Sequence, residues 1–455
     1  MTITFGNASR RHFLKHASAL GAAAGTPFAA NLLAMGAASA QQSNDYKALV
    51  CIYLSGGNDQ SNTLVPISQA EYDLYAKARP SLALPQSQLL SIAPTGWAGP
   101  GLGLNGSMSG MRSLFDQGKL AVLANVGPLC APTTQTQWKT GSVKVPFQLF
   151  SHSDQAAAWQ TGLPDRPSAT GWLGRIGDLT ASAFNPGSGV SISISTAGNN
   201  TIQVGNSTIQ YQVTTNGAVK VGALGGMYGS SAAGTALRQL TTDSRSDLLA
   251  NELNKVSARA INSESLVTNA LAGVTMNTPF PATKIGDQLR MVARLIGAQS
   301  GLGQKRQIFY VEMGGYDFHA DLVDAQTTRL KDLSDAMSAF YQATVDLGVS
   351  RNVTSFTASD FGRALASNGQ GSDHGWGGHH FIMGDAVAGN RIYGNFPTVA
   401  LKGPEDAGQG RLIPTTSVDE YAATLATWFG VSDTNISTIV PNIDRFSKRN
   451  LGFMA

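Results

Sequence analysis

The stretch ALVCIYL (48–54) is an unbroken apolar run that leads, after Ser55, into the loop GGNDQSN (56–62). A short apolar run bounded by turn residues reads as a strand buried on both faces, the kind found inside a parallel sheet. The pattern recurs. QIFYVEM (307–313) ends in GGYDFH (314–319), and VTSFTAS (353–359) ends in DFGRALASNGQGSDHGWGGHH (360–380). MRSLFDQGKLAVLANVG (111–127) reads as helix, turn and strand. FSHSDQAAAWQTG (150–162) reads as a loop entering a helix, with Ser151 or Ser153 as its cap. Helical patterns also cover 233–273, 284–299 and roughly 321–347, and Ser417 with Glu420 has capping-box spacing before the amphipathic run that follows. Strands alternating with helices predict an α/β fold, a three-layer sandwich around a mostly parallel central sheet, over residues 41–455. Within it, 186–221 alternates in Thr, Val and Ile and predicts a small β-rich insertion of short antiparallel strands, a flap or subdomain. The segment 233–273 is helical.

The first forty residues read differently. SRRHFLKHASALGAAAG pairs Arg10 with Arg11, and an Ala-rich stretch follows that is broken by Pro27 and ends in ASA (38–40). This is the pattern of a twin-arginine export signal cleaved after Ala40, too short and too interrupted for a membrane span. It predicts the twin-arginine translocase as a transient partner, a periplasmic or secreted location, and no stable transmembrane anchor. The signal holds three of the 32 Lys and Arg residues and no acid, so the formal charge of +3 belongs to it, and 29 bases face 29 acids in the remainder. Such a balance gives no support to a nucleic-acid partner. Cys51 and Cys130 are the two cysteines. In an oxidising compartment they are compatible with one disulfide or with two buried thiols.

In a parallel sheet the strand C-termini share one edge, where ligands bind. Asp59, Asp317 and Asp360 each follow an apolar strand and are expected to converge there. Beyond the signal the chain has five histidines, His152, His319, His374, His379 and His380, all in those loops or at the start of the 153–161 helix. Imidazole and carboxylate are the ligands of divalent zinc or manganese. Asp59, Asp317, His319, Asp360, Asp373 and His374 would serve one or two such ions. Two metals a few Å apart hold the attacking and leaving oxygens of a phosphoryl or sulfuryl centre. If 378–383 is a strand, His379 and His380 point to opposite faces, so one at most is a ligand, and His380 is the candidate. Asp373 is either a ligand or the group that orients His374. Ser151 stands at an expected helix N-terminus, where N–H groups and the dipole stabilise an oxyanion. It is read as the catalytic nucleophile beside His152, or as a plain cap. Two motifs fail their context: DFG (360–362) lacks the other kinase elements, and GLGLNG (101–106) follows no apolar strand.

The arginine signal, LSGGNDQSNTLVP, SHSDQAAAWQTG, GGYDFH, SDFGR and GSDHGWGGHHFIMG, in that order, resemble the exported bacterial family called domain of unknown function 1501. That family is similar to the alkaline phosphatase and sulfatase superfamily, which binds one or two metals at strand C-termini. The resemblance implies Asp59 as the first-strand metal aspartate and Ser151 in the nucleophile's place. It implies Asp317 with His319 as the later Asp/His pair, Asp360 as the strand-terminal aspartate and His374 as the final histidine. The chain departs from the superfamily in three ways. Phe361 stands where a strand-terminal histidine would be, Asp317 and His319 are two apart rather than four, and the Cys-x-Pro-x-Arg core of formylglycine sulfatases is missing. The expectation is an exported metal-dependent hydrolase that cleaves a phosphate or sulfate ester of a small molecule or polymer, by serine or water attack. The alternative is a non-catalytic exported binding or envelope-assembly protein on a degenerate scaffold of the same fold.

Overall fold

Strand Lys47–Leu54 alternates its side chains between two separate cores. Ala48, Val50 and Ile52 pack into one, and Leu49, Cys51 and Tyr53 into the other. Both faces being buried places it at the centre of a layered structure. The computed structural model describes residues 45–455, so the expected export signal and its cleavage point lie outside the described residues.

The strands of the central sheet are β1 (Lys47–Leu54), β2 (Leu120–Gly127), β3 (Ser193–Ser195), β4 (Tyr211–Thr214), β5 (Gly217–Ala218), β6 (Arg306–Met313), β7 (Val353–Ser359), β8 (Gly378–Met383), β9 (Ile392–Tyr393) and β10 (Thr416–Ser417). Their spatial order is β9-β2-β8-β7-β1-β6-β3-β4-β5, with β10 beside β2. The main helices are α1 (Ser109–Asp116), α2 (His152–Thr161), α3 (Trp172–Phe184), α4 (Ser231–Thr242), α5 (Leu248–Ala272), α6 (Lys284–Gly297), α7 (Leu322–Asp346) and α8 (Val418–Phe429). Side chains of α1, α6 and α7 cover one face of β1 with Phe115, Val292, Ile296, Leu333 and Phe340. The other face is covered from α2, α3 and α8 by Trp159, Trp172, Ile176, Tyr421 and Leu425. This is the expected α/β sandwich. Cys51 and Cys130 are both free and buried, which closes the disulfide alternative.

β1 pairs in parallel with β7 on one side and β6 on the other, so the three apolar runs end together. β8 reverses direction between β7 and β2 and pairs antiparallel with both. The segment 186–221 corrects its reading as an antiparallel flap. β3 joins β6 in parallel and β4 joins β3 in parallel, so the segment continues the central sheet, and only β4 and β5 pair antiparallel. Alternation fixes which side chains share a face and not the direction of the neighbouring strand. The helical pattern over 233–273 divides at residues 243–247 into α4 and α5.

Ser417 and Glu420 form the expected capping box of α8. Next to it, Asp419 is fully buried, and neither of its carboxylate oxygens has a hydrogen-bond partner. Burial pushes this carboxyl up to about 8. The native state therefore keeps a proton that the unfolded chain releases above about pH 4, and stability falls as pH rises from about 4 to about 8. Urea unfolding of an Asp419→Asn variant should show a flatter pH profile: equal to the parent near pH 4 and more stable at pH 8. A variant less stable at pH 8 would mean that Asp419 is ionised and paired in the folded chain.

Candidate functional site

The ends of β1, β6 and β7 bring three loops together, and the start of α2 meets them. His152, the first residue of α2, lies between two carboxylates. Its Nδ1 is 2.9 Å from Asp360 Oδ2 and its Nε2 is 3.4 Å from Asp317 Oδ2. His374 lies on the small hairpin Arg363–Ser367/Ser372–His374. Its Nδ1 donates to the Phe150 carbonyl at 2.7 Å, and its Nε2 is 3.3 Å from Asp317 Oδ1. His319 Nε2 is 3.0 Å from both Asp317 Oδ1 and His374 Nε2. Asp373 stands at the rim, with Oδ1 at 3.8 Å from His319 Nδ1.

A carbonyl only accepts, so the proton of His374 is on Nδ1 and the lone pair on Nε2. His152 has a carboxylate oxygen at each ring nitrogen, Asp360 at Nδ1 and Asp317 at Nε2. Burial lowers the pKa of His374, and the Phe150 carbonyl only partly offsets this. Burial would raise the Asp317 carboxyl, but the hydrogen bond and charge of Arg363, with His319 and His152, hold it below the usual carboxylate range. One ligand atom each from His152, Asp317 and His374 lies within 4.8 Å of the others. Two imidazoles and a carboxylate, each imidazole held through its second nitrogen, match the donor set of a divalent metal site. Asp360 Oδ2 accepts the Gly56 N–H at 3.2 Å, while its Oδ1 is buried without a partner.

Glycine answers a packing need here. A Cβ on Gly57, whose φ is +89°, would stand 2.3 Å from the Phe361 ring, and one on Gly371 would stand 2.4 Å from the backbone of Phe318 and His319. The loops close on one another only because these side chains are missing.

Of the predicted residues, the structure assembles His152, Asp317, His319, Asp360 and His374, with Asp373 beside them. Asp59 is a correction. Its carboxylate is buried in an ion pair with Arg79 Nη1 at 2.7 Å and accepts the Ser61 N–H, capping a short helix (Gln60–Thr63). A buried carboxylate is best compensated by a buried cation, and this one is spent structurally. His380 is a second correction. The pleat of β8 sends it into the core against Trp159 and Tyr421, with Nδ1 3.3 Å from Thr357 Oγ1, and burial pushes its pKa down to about 3. His379 faces the other way, stacks on Phe396, and its Nδ1 accepts the Asn125 N–H. Ser151 is the N-cap of α2 yet makes no cap hydrogen bond. Its Oγ donates to Asp154 Oδ2 at 2.7 Å.

The sequence reading passed over Arg363. Its side chain has no exposure, and Nη1 reaches Asp317 Oδ1 at 2.9 Å and the Gly56 carbonyl at 3.1 Å. Nε and Nη2 both donate to the Ser372 carbonyl. Its only sequence signal is the motif SDFGR, where a lone arginine follows a buried strand. Phe150 was equally hidden, because its part is played by a backbone carbonyl, set by a left-handed φ of 73°. Arg411 stacks on the Phe150 ring at 4.5 Å and donates from Nε to the His374 carbonyl.

The sequence matches the family described as Protein of unknown function (DUF1501) over residues 46–440. The chain belongs to the DUF1501 family. No curated protein matches it. Among solved structures, this DUF1501 chain is similar to a sulfatase from Pseudoalteromonas sp., at 9% identity over 88% of this chain and 70% of that one, with a TM-score of 0.34. It is similar to the C-terminal periplasmic domain of EcEptC from Escherichia coli in complex with Zn, at 10% identity over 90% and 89% of the two chains, with a TM-score of 0.34. It is also similar to the soluble domain of lipooligosaccharide phosphoethanolamine transferase A from Neisseria meningitidis, at 9% identity over 91% and 95%, with a TM-score of 0.35. No helix among the described residues is long and apolar enough to cross a membrane.

Arg363→Met removes a buried cation and leaves the Ser372 and Gly56 carbonyls without their donor. It should cost about 3 kcal/mol or more of stability and raise the Asp317 pKa. Urea unfolding at pH 7 and carboxyl titration by NMR would check both, and unchanged stability would show that the guanidinium does not hold the loops.

Proposed function

We propose that this DUF1501 protein is an exported, metal-dependent hydrolase acting on a phosphate or sulfate ester. The observation that carries the reading is the convergence of His152 Nε2, Asp317 and His374 Nε2 at a strand-end edge. Each imidazole is oriented through its other nitrogen by Asp360 or by the Phe150 carbonyl. Three protein ligands leave a coordination position open, the arrangement of catalytic rather than structural zinc sites. His319 stands ready as a fourth. The loss of Asp59 to Arg79 argues for one ion rather than two. Such an ion, when bound, supplies charge stabilisation to an ester oxygen and activates a bound water or hydroxyl. Imidazole and carboxylate donors suit zinc or manganese.

The chain's own groups then have definite work. Arg363 keeps Asp317 ionised and draws its Oδ1 away, so Oδ2 is the oxygen left to face His152. Ser151 is the candidate nucleophile. Its hydroxyl is not used as a cap, and Asp154 is placed to accept its proton. Asp154 also borders a cleft of about 440 Å³ with Phe147, Gln148, Ala158 and Arg166, where the body of the substrate would lie.

A second reading, a non-catalytic exported binding or assembly protein, draws on Phe361. Its ring lies 4.8 Å from both His152 and His374 and fills the place a further ligand would occupy.

Mass-spectrometric metal analysis of natively exported protein, followed by assays on phosphate mono- and diesters and aryl sulfates, tests the proposal. One bound divalent ion is expected, lost in His152→Ala and His374→Ala, with turnover falling by about 100-fold or more. Ser151→Ala should abolish turnover and keep the metal; retained turnover would give the attack to water. A folded, metal-free protein would sink the metallohydrolase reading, and metal without turnover would establish the second one. N-terminal sequencing of the exported chain should begin at Gln41.

A further inference from the structure

α5 is longer than the body it packs on. Leu249, Leu253, Val256, Ala260, Ser263, Val267 and Leu271 recur at spacings of four and three and form one stripe along its length. The C-terminal part of the stripe, Ser263, Val267 and Leu271, is buried against the rest of the chain. The N-terminal part is not: Leu249 is 81% exposed, Leu253 65% and Val256 52%, and Ala260 is exposed as well. Leu248 beside them is 79% exposed. This half of α5 is held on its other side by α4, where Asn254 Nδ2 donates to the carbonyls of Leu240 and Asp243. The helix therefore carries its core-packing face outward, past the point where the described residues pack on it. An apolar face of this extent marks an association surface.

We propose that the exposed half of α5 pairs antiparallel with the same helix of a second copy of this chain. The surface is complementary to itself. With Leu253 layered against the partner's Val256, Leu249 meets the partner's Ala260, so a large side chain faces a small one. In this register Glu252 and Arg259, which flank the stripe on one side, each lie near the opposite charge of the other copy. A parallel pairing would set Glu252 beside Ser257 and lose both ion pairs. An isologous contact of this kind closes as a two-fold dimer and leaves no free end. The inference does not depend on the metal site.

Sedimentation velocity of the full chain over a range of concentrations tests it. A reversible dimer is expected. Leu253→Glu should abolish it without changing the helical circular dichroism signal, because the side chain lies outside the fold's own core. Glu252→Arg should weaken the dimer by about tenfold or more through like-charge contacts with Arg259, and Glu252→Arg combined with Arg259→Glu should restore it. A protein that stays monomeric, its face covered by residues 1–44 or kept for a different protein, overturns the proposal. So does a dimer insensitive to Leu253→Glu, or a charge-reversal defect that the double variant fails to repair.

Discussion

A guanidinium without solvent contact is affordable only where each of its nitrogens finds an acceptor, and Arg363 meets that condition by taking its acceptors from three different loops. The Gly56 carbonyl comes from the turn after β1, Asp317 from the turn after β6, and the Ser372 carbonyl from the hairpin that carries His374. Remove the cation and these loops lose their common anchor. Leave it, and the Asp317 carboxylate is both ionised and aimed. The histidines can then be held by weaker, local contacts, such as the Phe150 carbonyl and the Asp360 carboxylate, because the frame around them is already fixed.

The sheet was largely legible because β1, β6 and β7 are buried on both faces, and that condition writes itself into sequence as unbroken apolar runs. The edge was not. β3 and β4 are only three and four residues long, and their alternating composition says nothing about whether a neighbour runs parallel or antiparallel. Pairing direction depended on β6, more than a hundred residues away. A local pattern cannot report a partner at that distance.

The site divides along the same line. Loop histidines and aspartates at strand ends were readable because topology collects strand ends. Asp59 followed the same rule and failed it, since Arg79, on a segment with no apparent link to the site, reached the carboxylate first. His380 failed for a different reason: it and His379 both lie buried within β8, and the aromatic surroundings that take up its ring come from α2 and α8. The Phe150 carbonyl left no mark at all, as backbone atoms are the same at every position.

The reversed direction of β8 has a consequence for how such a site changes over evolutionary time. Because β7 runs out at the ligand edge and β8 starts there, the connection between them leaves and re-enters the sheet on one side. It carries Asp360, Phe361, Arg363, Asp373 and His374 without crossing a layer. A parallel connection would have to return through a helix on the far side, and any change of length would disturb the packing there. Replacements at partly exposed positions of this β7–β8 connection, such as Asp373, change the groups offered at the rim while the register of β7 on β8 stays as it is, whereas Arg363 within the same connection is tied to the turns after β1 and β6.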